Sequence, residues 1–261
     1  MNDKTGQEQN TLIIGRNALL EALKSGREID CVTVARGERG GSIGKIISEC
    51  KKIGIPVKEA DSKKLDYMCG HSNHQGVIAS VAAHEYSSLE DILSAADEKG
   101  EPPFIIICDG LEDPHNLGAI IRTAEAAGAH GVIIPKRRSA SLTFATAKTS
   151  AGAVEYVPVA RVTNIASTID ELKKRGVWIY GADVGGTMWC DSKADGAAAL
   201  VIGSEGYGLS RLVKEKCDFI MSLPMKGKIN SLNASVAAGI LMYEILRQRS
   251  DIKTDAGGNA K

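Results

Sequence analysis

Aromatic side chains are scarce in this chain: phenylalanine, tryptophan and tyrosine together make up 4% of its 261 residues. A surface that works by stacking many bases on rings is therefore not expected. A surplus of either charge is also missing, because 32 basic residues are matched by 32 acidic ones. Dedicated non-specific nucleic-acid binders carry a marked positive excess, so any phosphate contact here must come from a local patch. No run of eighteen apolar residues occurs, which argues against a membrane-spanning helix. The six cysteines form no CxxC pair, so neither a zinc site nor a compact disulfide framework is expected. Reduced thiols in a cytoplasmic protein are the expectation instead. The opening MNDKTGQEQN has no apolar signal core and reads as a loose tail over 1–10; the polar ending reads the same way over 251–261. No short internal repeat is evident.

What is present is α/β patterning, twice. In the N-terminal part the apolar run CVTVA (Cys31–Ala35), PVKEA and GVIASVAA (Gly76–Ala83) alternate with helical segments near Asn17–Lys24, Ile43–Lys52 and from Ser62, whose hydroxyl suits a helix cap. These three β segments make a small α/β unit. Tyr86–Pro103 is polar and acidic and ends in two prolines, so it reads as a linker with a helical turn or more. From Phe104 six apolar runs follow: FIIIC, GVIIP, YVPVA, VWIYGAD, AALVIG and FIMSLP. Amphipathic helices separate them, which implies a mostly parallel sheet covered on both faces.

Three clusters carry chemistry-capable residues. The first, Asp109 to Thr123, is a strand-end loop feeding a helix, where open α/β sheets place ligands. Its bland reading makes Asp113 or Asn116 a cap, Pro114 a turn former and Arg122 a solvated charge. The second, Leu200 to Leu209, sets three glycines within six residues after a buried strand, which permits close backbone approach to a ligand. Its order is GxxGxG, not the GxGxxG of a dinucleotide fold, which counts against a nicotinamide-dependent dehydrogenase. The third, Leu223 to Ser235, puts Ser231, Asn233 and Ser235 at the entry of an apolar helix, with Asn230 or Ser231 as an ordinary N-cap. Polar groups entering a buried helix cost roughly 1–3 kcal/mol each unless satisfied, so a ligand or a polar network should lie near. The triplet Lys136-Arg137-Arg138 reads as a solvated loop or a phosphate contact. His74-Gln75-Gly76 reads as a turn, and Tyr207 as a packed loop aromatic or a base-stacking ring.

Taken in this order, the clusters resemble the motifs of the SpoU family, also called the TrmH group of SPOUT methyltransferases. The matching residues are D-P-x-N-x-G-x-x-x-R-T (Asp113–Thr123), G-x-E-G-x-G-L (Gly203–Leu209) and P-M-x-G-x-x-x-S-L-N-x-S (Pro224–Ser235). The start IIGRNALLEALKSG, the segment SKKLD and the phrase HQGVIASV are similar to the family's N-terminal substrate-binding domain, so the resemblance covers roughly Thr11 to Ser250. The two-domain arrangement is most similar to members that methylate a guanosine of 23S ribosomal RNA; transfer RNA is the runner-up substrate, and a non-catalytic RNA-binding relative the bland alternative. The resemblance implies an α/β chain with an L30e-like RNA-binding domain over 11–86, a linker over 87–103 and a SPOUT trefoil-knot domain over 104–250. It implies S-adenosyl-L-methionine as cofactor, no metal, and a homodimer with active sites at the subunit interface. On the matching positions, catalysis falls to Asn116, Arg122, Glu205, Ser231 and Asn233, and the cofactor to Gly203, Leu223, Met225, Ser231 and Leu232. Glu205 is expected to orient a partner or to neutralise Arg122.

Overall fold

In the computed structural model residues 12–229 and 231–250 are described. Asn230 and the tails expected over 1–10 and 251–261 lie outside the described residues. Cα proximity divides the chain into two units, one running to Glu85 with Ser141–Phe144 added, the other comprising Tyr86–Ala140 and Ala145 onward.

The first unit alternates strand and helix: β1 (Leu12–Ile14), α1 (Arg16–Lys24), β2 (Cys31–Ala35), α2 (Gly41–Lys52), β3 (Val57–Ala60), α3 (Ser62–Met68) and β4 (Val77–Ser80). Its sheet runs β1-β4-β2-β3, with β2 and β3 parallel and β4 antiparallel to β1 and β2. Leu19, Val32, Ile43, Ile46 and Val77 form one buried cluster, and Leu65 and Ile78 anchor a second. Three strands were expected; the fourth, β1, is three residues long and too short to show a period. Ser62 is not a cap but the first helical residue, because Asp61 takes the extended N-cap position. His74 holds a turn, as expected: its buried ring accepts from the Gly76 N–H and lies 3.1 Å from Asp66 Oδ1.

In the second unit the stretch expected as a linker with a helical turn or more contains α4 (Leu89–Lys99), whose Ile92, Leu93 and Ala96 are buried. Ser88 and Asp91 form a reciprocal capping box and Gly100 closes the helix in the left-handed conformation. Acidity had masked the spacing of three apolar residues on one face. Then come β5 (Phe104–Asp109), α5 (Pro114–Ala126), β6 (Gly131–Pro135), α6 (Phe144–Thr149), β7 (Val159–Val162), α7 (Ile165–Lys174), β8 (Trp178–Met188), β9 (Ala198–Gly203), α8 (Arg211–Lys216), β10 (Phe219–Ser222) and α9 (Ala234–Arg249).

The six strands pair in the order β10-β8-β9-β5-β6-β7, all parallel, as the continuous apolar runs imply. Side chains alternate across the sheet. Ile105, Ile107, Ala199 and Val201 pack with residues of α4, α7 and α8, while α5 and α9 lie together against β6, β8 and β9. The chain moves outward from β5 through β6 to β7, then crosses back to β8, so the order reverses between β5 and β9. At such a switch point two loops leave the sheet in opposite directions and open a crevice.

Among the described residues no helix is long and apolar enough to cross a membrane. All six cysteines are free thiols.

Candidate active site

Asp109 and Gly203 are register partners at the ends of β5 and β9, so the loops carrying the first two clusters leave the sheet side by side. Asp109 accepts a hydrogen bond from the Ser210 N–H at 2.7 Å, which ties the second loop back to the first strand. Two of the bland readings for the first cluster hold: Arg122 is a solvent-exposed charge, and Asp113 caps α5 by accepting from the His115 N–H at 2.9 Å, with Pro114 at the first helical position. Asn116 is then free of capping duty and is buried. Gly118 is required by close approach, since a Cβ there would sit 2.6 Å from the Thr146 carbonyl oxygen and 2.7 Å from Thr149 Cβ.

The second loop doubles back on itself. Ser204 and Gly208 exchange two backbone hydrogen bonds of 3.0 Å, and the turn passes Gly206 and Gly208 at φ of 84° and 65°. A Cβ on Gly203 would fall 2.2 Å from the Gly208 carbonyl carbon, so only glycine fits. Glu205 sits on this turn. The third loop, after β10, leads to α9, whose N-cap is Asn233 and not Ser231 or Asn230; Asn233 Oδ1 accepts from the N–H groups of Ser235 and Val236. The helix therefore starts at Ala234, with its cap two residues beyond Ser231, where the Asn233 side chain supplies the acceptor.

These three loops meet. Asn116 donates from Nδ2 to Glu205 Oε1, while Asn233 Nδ2 donates to Asn116 Oδ1 at 3.0 Å and to Glu205 Oε1 at 3.1 Å. A carboxylate is thus held by two neutral amides, one from each flanking cluster. This answers the desolvation problem posed by the polar entry of α9. It also corrects the expected Glu205–Arg122 pairing. Arg122 lies six residues beyond Asn116 on α5, hence on another face of the helix. Its side chain is solvent-exposed and makes no hydrogen bond or ion pair with a described residue.

Next to the network is a cavity of about 610 Å³, lined among others by Gly203, Leu223, Met225, Ser231, Leu232 and Asn233. All five residues assigned to the cofactor share it. Its far wall, Ala182–Val184, went unnoticed in the sequence. Between Gly181 and Thr187 strand β8 leaves register with β10, where Ile220 and Met221 pair across the gap. The slack turns this stretch toward the cavity, and Asp183 is fixed there by Lys214 at 2.6 Å. The volume lies within the range of about 300–1,000 Å³ usual for small-molecule sites. Apolar leucine and methionine walls with a few hydroxyl, amide and main-chain groups suit a ligand that carries both an apolar body and hydrogen-bonding ends.

Comparison with known proteins agrees with this construction. The profile described as "SpoU rRNA Methylase family" matches residues 103–243, and that described as "RNA 2'-O ribose methyltransferase substrate binding" matches 12–87. A Bacillus subtilis (strain 168) protein named "Putative TrmH family tRNA/rRNA methyltransferase YacO" is 52% identical over 246 residues, covering 94% of this chain and 98% of its own. Among solved structures, the SpoU methyltransferase AviRb from Streptomyces viridochromogenes, crystallised with AdoMet, superposes with a TM-score of 0.57 over 95% of this chain and 99% of its own; at 23% identity it speaks for the fold alone. The TrmH/SpoU tRNA modifying enzyme of A. aeolicus is 30% identical over 62% of this chain and 84% of its own, with a TM-score of 0.52. The two family models and the Bacillus subtilis relative identify an RNA methyltransferase with a separate substrate-binding unit. The chain belongs to the SpoU/TrmH family.

Proposed function

We propose that this methyltransferase transfers a methyl group from S-adenosyl-L-methionine to a ribose 2′-hydroxyl of RNA, and that its substrate is a guanosine of 23S ribosomal RNA in the cytoplasm. The supporting observation is the single cavity that gathers Gly203, Leu223, Met225, Ser231 and Leu232 beside the Asn116–Glu205–Asn233 network. When bound there, the cofactor supplies a methyl already activated by its sulfonium. The chain's own task is alignment, which contributes on the order of 7–11 kcal/mol in favourable cases. Leu223, Leu232 and Met225 would enclose the apolar body, and the Ser231 hydroxyl and loop main chain would meet its polar ends. Asn116, Asn233 and Glu205 fix the wall against which the ribose rests.

Arg122 stays protonated under nearly all conditions, so it serves as a donor to the developing alkoxide and to an RNA phosphate rather than as a base, and the hydroxyl proton leaves to solvent. Its exposure fits a site completed by a second copy of the chain. Gly239 of α9 lies against Thr123, 3.7 Å from its Cγ2 to a built Cβ, and beside this crossing α9 presents Val236, Ile240 and Tyr243, three exposed apolar residues at helical spacing. We take this face as the homodimer contact.

Transfer RNA is the second reading, favoured by the likeness to the A. aeolicus enzyme and by the double substrate in the YacO name. Incubating the protein with methyl-labelled cofactor and separate ribosomal and transfer RNA pools, then mapping the modified sugar, tests both. Label on a 23S guanosine ribose is the expected result; label confined to transfer RNA or to a base overturns the proposal.

A further inference from the structure

A second cavity, of about 720 Å³, lies on the other side of the Ser204–Gly208 loop, and every residue lining it belongs to the second unit. It opens over the ends of β5, β6 and β9 and shares Ser204, Glu205, Tyr207 and Gly208 with the cavity assigned to the cofactor. One loop therefore separates two spaces, each of a size that suits a small molecule.

The charges around it are unevenly committed. Asp109 accepts from the Ser210 N–H and Asp113 from the His115 N–H, and Glu205 accepts from the two amides of the network. Arg137 and Arg138, which also line the cavity, are exposed and make no ion pair with a described residue. Only Glu112 on the same rim is a carboxylate without a described partner. Arg138 moreover adopts a φ of 54°, a left-handed conformation that glycine takes at no steric cost and arginine does not. A side chain kept at such a position points to a use for the side chain. Tyr207, 94% exposed, presents its ring at the shared wall, where a base can stack.

We propose that this second cavity receives the acceptor nucleotide. Its base enters beside Tyr207, Arg137 and Arg138 clamp the adjoining phosphate, and the ribose comes to rest at the shared wall by Glu205, facing the methyl donor. This rests on the reading of the chain as an RNA ribose methyltransferase and adds the residues that seat the target strand. Base and methyl donor then lie on opposite sides of the Ser204–Gly208 loop, whose residues line both cavities.

The test uses full-length protein with Arg138→Gly, the pair Arg137→Ala/Arg138→Gly, and the pair Arg137→Lys/Arg138→Lys. Cofactor affinity, thermal stability and RNA Kd at several salt concentrations are measured for each. Arg138→Gly removes the guanidinium while relieving the backbone, so its melting temperature should not fall. Charge-assisted contacts to phosphate of this kind are worth about 10- to 100-fold each in affinity. The expected result is therefore an RNA Kd weakened at least about 10-fold in the Ala/Gly pair, with cofactor affinity as in the wild type. The slope of log K against log salt should fall by about 0.7 per lost contact and return in the lysine pair, which keeps the charge. Unchanged Kd and slope in the Ala/Gly pair overturn this inference alone, as does a weakened Kd without a change in slope, which marks a structural role. A wild-type protein that binds no cofactor or methylates no RNA overturns the underlying reading instead.

Discussion

Replacing Gly203 by alanine probes the junction on which both cavities depend. The added Cβ would lie 2.2 Å from the Gly208 carbonyl carbon and 2.4 Å from its oxygen and from the Leu209 nitrogen. All three are main-chain atoms, so no side chain can rotate away. Ordinary contact starts near 3.4 Å, and the two arms of the turn must part by more than an ångström. Overpacking of this kind costs about 1–3 kcal/mol. The Ser204–Gly208 pair of hydrogen bonds, both 3.0 Å, is broken in the process, at about 0.5–1.5 kcal/mol each. A destabilisation on the order of 2–6 kcal/mol follows, which lowers the melting temperature of a unit this size by on the order of 10 °C. The same shift displaces Glu205, and misplacement by about 1 Å costs roughly 100-fold in rate. Gly196→Ala is the control, because nothing lies within 4 Å of its Cβ position. Calorimetric melting and cofactor titration of both variants decide the matter. If Gly203→Ala melts within about 2 °C of Gly196→Ala and binds cofactor with wild-type affinity, the close-approach argument is wrong.

Further outcomes are expected. Asn233→Asp keeps the oxygen that caps α9 but sets a second carboxylate against Glu205, now 3.1 Å from the Asn233 amide nitrogen. Stability should change little, while single-turnover methylation falls by about 100-fold; a near-wild-type rate removes the network from the mechanism. Arg122→Lys preserves the charge without the planar fork, so wild-type single-turnover rates with lysine would exclude a need for bidentate contact. Ile240→Lys, on the exposed stripe of α9, should yield monomers in sedimentation velocity, and a persisting dimer would place the contact elsewhere. His130 is buried, and its Nδ1 accepts the Phe104 N–H at 3.0 Å, which requires a neutral ring. Burial first, and Lys99 second, push its pKa below the ordinary value. As pH falls through about 6.5 the unfolded chain takes up a proton that the folded chain refuses, so stability is full above that pH and declines below it by up to about 1.4 kcal/mol per unit. His130→Gln should lose less stability between pH 7 and 5 than the wild type; parallel curves would contradict the assignment.

Much of this architecture was legible in the residues. The runs FIIIC and AALVIG emerge as adjacent parallel strands because burial on both faces demands continuous apolar sequence. Residue type narrowed the cap of α5 to Asp113 or Asn116, and it marked the Gly203–Gly208 loop as one of close approach, though to a ligand and not, as at Gly203, to its own main chain. What escaped the sequence has identifiable causes. Helix α4 was legible only as a helical turn or more within a linker because its acidic residues dominate the composition, although Ser88 and Asp91 already spelled a capping box. The Ala182–Val184 wall depends on a register shift between β8 and β10, and pairing is a property of two strands that neither reveals alone. The same holds for the Asn116–Glu205–Asn233 network. Its members lie 89 and 28 residues apart along the chain, and the charge of Glu205 invited a cation as partner where the fold supplies amides. A threaded chain, as the family resemblance implies, is likewise a global property that no local period encodes.

The most direct measurement is a structure of the protein crystallised with S-adenosyl-L-methionine. The account predicts the cofactor in the cavity of about 610 Å³, in contact with Gly203, Leu223 and Leu232, with its methyl group turned toward Asn116 and Glu205. Cofactor bound elsewhere on the sheet, or bound with its methyl directed away from that network, would contradict it.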